Sequence, residues 1–155
     1  MNLLLDSTYL FPFIGLEVRG VPRTSVIDLL FMGHTVSVSE ISLFELSAKG
    51  AKLVSQGALE PNRITSAIRA IHMSPNIAKV PFTASRIQHT AFGLRAQVAD
   101  YIDCIIMASS VHEADALVTE DERLHQIYED GSQTFTEINP GFKAIRMSEA
   151  LREAG

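Results

Sequence analysis

Short aliphatic runs that stop at an acid or a hydroxyl alternate along the chain with segments whose apolar positions recur every three or four residues. Leu3, Leu4 and Leu5 form the first run, which ends at Asp6, Ser7 and Thr8. This pattern predicts a strand, a polar turn, and a short helix through Tyr9, Leu10 and Phe11. Residues 22–32 predict a helix with Val26, Ile27, Leu29, Leu30 and Phe31 on its buried side and Gly33 as its stop. Residues 34–38 alternate as a second strand, and Ser39 stands where it can cap an amphipathic helix over 41–55 that Gly57 closes. Pro61 suits the first turn of the next helix, striped by Ile64, Ala67, Ile68 and Ile71. After a turn at 74–76 come an extended segment over 77–82 and a helix starting at Thr83 or Ser85, with Ile87, Ala91, Phe92 and Leu94 inward.

The stretch 100–124 organises the rest. Tyr101, Ile102, Ile105, Ile106, Ala108 and Val111 mark a well-buried helix that opens on Asp100 and Asp103. Residues 114–118 suit a short interior strand, stopped by Thr119. Thr119 and Glu122 have capping-box spacing, which predicts a new helix from Glu120 with Asp121 in its first turn and Gly131 at its end. Residues 135–138 read as an edge segment, 139–141 as a turn, 144–147 as a last strand and 148–154 as a terminal helix. Strands alternating with helices predict one α/β domain over 1–155: a three-layer α/β/α sandwich around a mainly parallel sheet. In such a sheet, strand ends that feed helices share one edge, where ligands collect.

Composition narrows the chemistry. The 155 residues carry 13 basic and 18 acidic side chains, a net charge of −5, so overall field does not favour a polyanion. Nucleic acid binding then requires a local basic rim, for which Arg19, Arg23, Lys49, Lys52, Arg86 and Arg95 are candidates, or bound cations. Cys104 is the single cysteine, which excludes an intrachain disulfide and fits a reducing cytoplasm. It adjoins an acid in an apolar helix and reads as inert packing. No apolar run is long enough for a bilayer, and Asp6 breaks the N-terminal apolar stretch, so the chain is expected to stay in the cytoplasm where it is made. The five histidines lack metal-ligand spacing, and no phosphate-binding glycine loop or serine nucleophile elbow is present.

What remains is acid at strand-to-helix junctions. Each has a bland explanation: Asp6 or Ser7 caps a helix, Glu40 answers a helix dipole, and Glu45 pairs with Lys49 one turn on, worth about 0.3 kcal/mol. Gathered on one sheet edge, however, bare carboxylates repel and raise each other's pKa. A hard divalent cation relieves that repulsion, and such a centre activates water for attack on phosphorus.

Taken together, these motifs resemble the PIN-domain nucleases over nearly the whole chain. The segment LLLDSTYL resembles the family's opening strand, with Asp6 as first acid and Ser7 as the small hydroxyl after it; VSVSEISLFELS resembles the second motif, with Glu45 as its acid. DCIIMASS resembles the helix opening on the third acid, Asp103, and LVTED the final strand with its Thr119 and Asp121 turn. The resemblance implies a Mg²⁺ or Mn²⁺ site on Asp6, Asp103 and Asp121, catalysis by these with Glu45, substrate contacts from Ser7 and Thr119, and hydrolysis of RNA phosphodiester bonds. It further implies a homodimer and, as in VapC-type toxins, a small antitoxin partner. The chain departs from the family at Thr8, where Asn is common, and at Arg123 and Leu124, where an acid and Phe are common; this puts a fifth acidic contact in question, with Glu120 or Glu122 as candidate substitutes. Asp100, Glu113 and Asp115 keep solvated or capping roles.

The departures leave room for a PIN-like module that no longer cuts and instead binds RNA or protein. A phosphatase using Asp6 as covalent nucleophile is a third reading, for which TEDE supplies only half of the late paired-acid motif.

Overall fold

The computed structural model of the chain describes residues 1–153. Its centre is a five-stranded sheet of β1 (Asn2–Leu5), β2 (Thr35–Ser39), β3 (Ile77–Val80), β4 (Ala116–Val118) and β5 (Lys143–Ile145), every neighbouring pair parallel, in the order β3-β2-β1-β4-β5. The helices are α1 (Ser25–Phe31), α2 (Glu40–Ser55), α3 (Pro61–Met73), α4 (Ser85–Leu94), α5 (Tyr101–Glu113), α6 (Glu122–Asp130), α7 (Ser132–Ile138) and α8 (Met147–Ala150); a 3-10 helix, Ser7–Ile14, follows β1.

The strand period of two divides the core into two halves. Leu3 and Leu5 point with Val36, Val38, Ala116 and Val118 into one hydrophobic cluster, shared with the 3-10 helix, α1, α2 and α3. Leu4 and Leu117 point the other way, into a cluster built on α4, α5, α6 and α7. Helices on both faces explain why β1 and β4 are continuously apolar rather than alternating. The expected three-layer α/β/α sandwich is the fold.

Several expected details differ. Segment 135–138 is part of helix α7, not an edge: Phe135 is buried and packs 6.2 Å from the Tyr128 ring and 6.1 Å from the Phe142 ring. Short apolar runs do not distinguish strand from helix, and these rings decide it. Helix α1 starts at Ser25 rather than Pro22, and Ile27 and Phe31 face solvent; only Val26 and Leu29 are its buried hydrophobics. Phe92 is likewise exposed, stacked 6.0 Å from Tyr101. Ser39 makes no capping bond; its hydroxyl meets that of Ser109 at 3.2 Å, joining the end of β2 to α5. The last strand ends at Ile145, Met147 opens α8, and Ala154 lies outside the described residues. Among the described residues no helix is long and apolar enough to cross a membrane.

Candidate active site

From β1 the chain builds the sheet outward through β2 to β3, then returns to add β4 and β5 on the other side. The order therefore reverses between β1 and β4, and the crevice beyond those strand ends is where an open parallel sheet receives ligands. Asp6 follows β1 directly. Its amide extends the ladder to Val118 O at 3.1 Å, and its carbonyl accepts the Tyr9 amide at 3.1 Å as the 3-10 helix begins. Thr119 and Asp121 follow β4. The Thr119 hydroxyl donates to Asp6 Oδ2 at 2.8 Å and accepts the Asp121 amide at 3.1 Å. One hydroxyl thus ties the two strand ends together, in place of the expected capping box. Asp121 itself caps α6, accepting the Arg123 amide at 2.7 Å, so that helix begins at Glu122.

Asp103 stands in the first turn of α5, whose cap is Asp100, accepting the Ile102 amide at 2.8 Å. Glu45 projects from the second turn of α2, half-buried. It has no ion pair with Lys49, whose ammonium lies 5.7 Å from the centre of the Phe11 ring instead.

Electrostatics join these positions. Burial raises the Asp6 carboxyl above its ordinary range; the Thr119 bond pulls the other way, and the charges of Glu45 and Asp121 push it up further. The Asp103 carboxyl is pushed up to about 7, by burial first and then by Asp100, Asp6, Asp121 and Glu45. Glu45 and Asp121, from two further segments, therefore act on both Asp6 and Asp103. Ser7 is buried beside Asp6, and its hydroxyl meets no partner among the described residues.

As a donor set the crevice fits a hard divalent cation: only oxygen ligands, like-charged, with Asp6 withdrawn from water. Among the described residues no three His, Cys, Asp or Glu side chains are grouped so as to hold a metal ion as they stand. Any cation would draw together carboxylates that otherwise repel.

The remaining candidates sort themselves out. Glu113 pairs with Arg86 at the far end of α5, about 15 Å along the helix from Asp103, which removes Arg86 from the expected basic rim. Asp115 accepts the Asn2 amide at 2.7 Å, at the opposite sheet edge, and Arg23 pairs with Glu17. Arg95 and Arg123 stay at the site end, donating to Val98 O and Gln97 O at 3.0 and 2.9 Å. Cys104 is buried, its thiol directed at the Asp100 carbonyl and its pKa raised by burial, as inert packing requires.

Glu120 and Glu122, the candidate stand-ins for a fifth acid, are both engaged. Glu120 accepts the Tyr9 hydroxyl at 3.0 Å and the Met147 amide at 3.1 Å, and Arg146 reaches Glu120 at 3.3 Å and Glu122 at 2.7 Å. Sequence reasoning missed Tyr9 and Arg146. The signal existed: Arg146 follows an apolar strand as Asp6 does, but 144–147 read as strand interior.

Comparison with known proteins agrees with this arrangement. A chain of the VapBC2 complex of Rickettsia felis, solved bound to a DNA fragment from its promoter, shares the fold with a TM-score of 0.60 at 17% identity, over 94% of this chain and 98% of that one. No curated protein sequence matches. The family model described as PIN domain matches residues 3–130, which takes in all four acids and both hydroxyls of the crevice, and the chain belongs to that family.

Proposed function

We propose that the protein is a metal-dependent ribonuclease that hydrolyses RNA phosphodiester bonds in the cytoplasm, as the toxin of a toxin–antitoxin pair. PIN domains are generally nucleases, and the observation that carries the finer reading is that the charges of Glu45 and Asp121 reach both Asp6 and Asp103, whose carboxyls are raised by burial first and further by those charges. A protein that keeps four acids in one another's field, at a cost to its own stability, has a use for the charge they concentrate.

Asp6, Asp103 and Asp121 would hold Mg²⁺ or Mn²⁺, which supplies charge compensation, a water made acidic, and stabilisation of charge on the phosphoryl oxygens. The chain's own residues do the rest. Thr119 fixes the Asp6 carboxylate by donating to Oδ2. Glu45 adds a carboxylate that can accept a proton from attacking water. The Ser7 hydroxyl, buried without a partner, is a free donor for a phosphate oxygen. Lys49, Arg95 and Arg123 offer local positive charge to an RNA strand despite the net −5. A small antitoxin covering the crevice and assembly as a homodimer complete the proposal; the VapBC2 likeness supports the first.

A second reading, a module that keeps the fold but no longer cuts, draws on Arg123 and on the engagement of Glu120 and Glu122 by Arg146. One set of samples separates the two. Wild type, Asp6→Asn and Asp103→Asn are incubated with single-stranded RNA in Mn²⁺ or Mg²⁺, and titrated with Mn²⁺ by calorimetry. The nuclease reading expects cleavage and Mn²⁺ binding by wild type and loss of both in each variant. Equal cleavage by all three removes it, and RNA binding by wild type without metal binding favours the module.

A further inference from the structure

We infer that Arg146, together with Tyr9 and the Met147 amide, forms a strap that positions the loop carrying Thr119 and Asp121 against Asp6, by holding Glu120 and Glu122. The inference rests on the reading of that crevice as a nuclease site.

Glu120 lies between Thr119 and Asp121, so whatever fixes Glu120 fixes both. Its Oε1 accepts two donors from separate segments: the Tyr9 hydroxyl, one short turn past Asp6, and the Met147 amide, just past β5. Its Oε2 accepts from Arg146 Nη1, while Arg146 Nη2 takes Glu122 at 2.7 Å. The ends of β1, β4 and β5 are thus joined through one carboxylate. Tyr9 is only 1% exposed, so its bond to Glu120 is made away from solvent. A second join runs parallel, with the Thr119 amide on Ile145 O at 3.0 Å.

Charge gives the strap a second role. Residues 120–122 are three consecutive acids, of which Asp121 acts on Asp6 and Asp103 while Glu120 and Glu122 turn to Arg146. The guanidinium between Glu120 and Glu122 balances part of that charge, and a planar fork does so for two carboxylates at once where an ammonium serves one. Arg146 and Met147 lie beyond residues 3–130, the part matched to the PIN domain.

Magnitude separates positioning from scaffolding. The Arg146 side chain is 35% exposed, and ion pairs so exposed add little to global stability. Arg146→Ala should therefore fold. Partners that orient a ligand's neighbours, by contrast, commonly change metal affinity or activity by about 10–100-fold.

The test compares wild type with Arg146→Ala, Arg146→Lys and Tyr9→Phe by amide hydrogen exchange and by RNA cleavage in Mn²⁺. Arg146→Ala is expected to exchange the Asp121 amide about tenfold faster or more with the Leu4 amide unchanged, and to lower kcat about tenfold or more. Arg146→Lys should recover part of the kcat, and Tyr9→Phe should fall between. Unchanged exchange at Asp121 in Arg146→Ala overturns the strap whether or not RNA is cut. Faster exchange with unchanged kcat overturns its positioning role. Failure of wild type itself to cleave RNA counts against the nuclease reading, and exchange then decides the strap alone.

Discussion

Asp103 holds its proton more tightly than a free carboxyl because ionising it places a charge among Asp100, Asp6, Asp121 and Glu45, half withdrawn from water. The same elevation sets a pH dependence. A folded-state value near 7 against an ordinary 3.8 means that folding favours the protonated form. The corresponding stability is present below about pH 4 and is lost as pH rises through about 7. Metal-free protein in chelator should show a falling Tm across that window by scanning calorimetry, and Asp103→Asn, of the same shape but without the charge, should fall less and melt higher than wild type at about pH 8. Parallel Tm profiles for the two proteins contradict this assignment. At this scale the sequence was legible where a motif surrounded the acid: Asp6, Asp103 and Asp121 each follow or open a regular element. Glu45 was not legible from spacing alone, since an acid four residues before Lys49 has a sufficient surface explanation; only the resemblance separated the two. The partner of Glu120 and Glu122 was not legible, because the guanidinium that engages them lies more than twenty residues further along the chain.

Elements were easier to read than their ends. A parallel strand buried on both faces is a short apolar run, and a two-sided helix such as α5 has no polar stripe, so both announce themselves by composition. Caps depend on which donor a side chain reaches in three dimensions. Thr119 and Ser39 had the right residue type for capping, but their hydroxyls turn to Asp6 and Ser109, partners remote in sequence. Close helix packing is similarly invisible locally. Gly50, mid-way along α2, looks like a helix-weakening residue, yet a Cβ there would stand 2.6 Å from Ile64 Cγ2 and 3.0 Å from its Cδ1, and Ile64 is buried on α3. Gly50→Ala gains about 1 kcal/mol in helix propensity and loses about 1–3 kcal/mol to overpacking. The net expectation is a urea midpoint lowered by about 1 kcal/mol equivalent with unchanged slope. A raised midpoint shows instead that α2 and α3 separate freely.

At the scale of the whole molecule, the order β3-β2-β1-β4-β5 turns four acids spread from residue 6 to residue 121 into neighbours. Alternating strands and helices predicted a parallel sheet, but strand order was not derivable from them, because each crossover satisfies its own geometry whichever side of β1 it lands on. That choice creates the crevice between β1 and β4, while the opposite sheet edge carries a cavity of about 630 Å³ lined by Ile27, Phe31 and His34 and no carboxylate. The central claim is that the crevice holds a divalent cation on Asp6, Asp103 and Asp121. Crystals grown with Mn²⁺ and measured near the manganese absorption edge test it directly. An anomalous peak bonded to carboxylate oxygens of those three residues, at about 2.0–2.3 Å, is the expected result. A peak elsewhere with this crevice empty, or no peak at saturating Mn²⁺, contradicts the account.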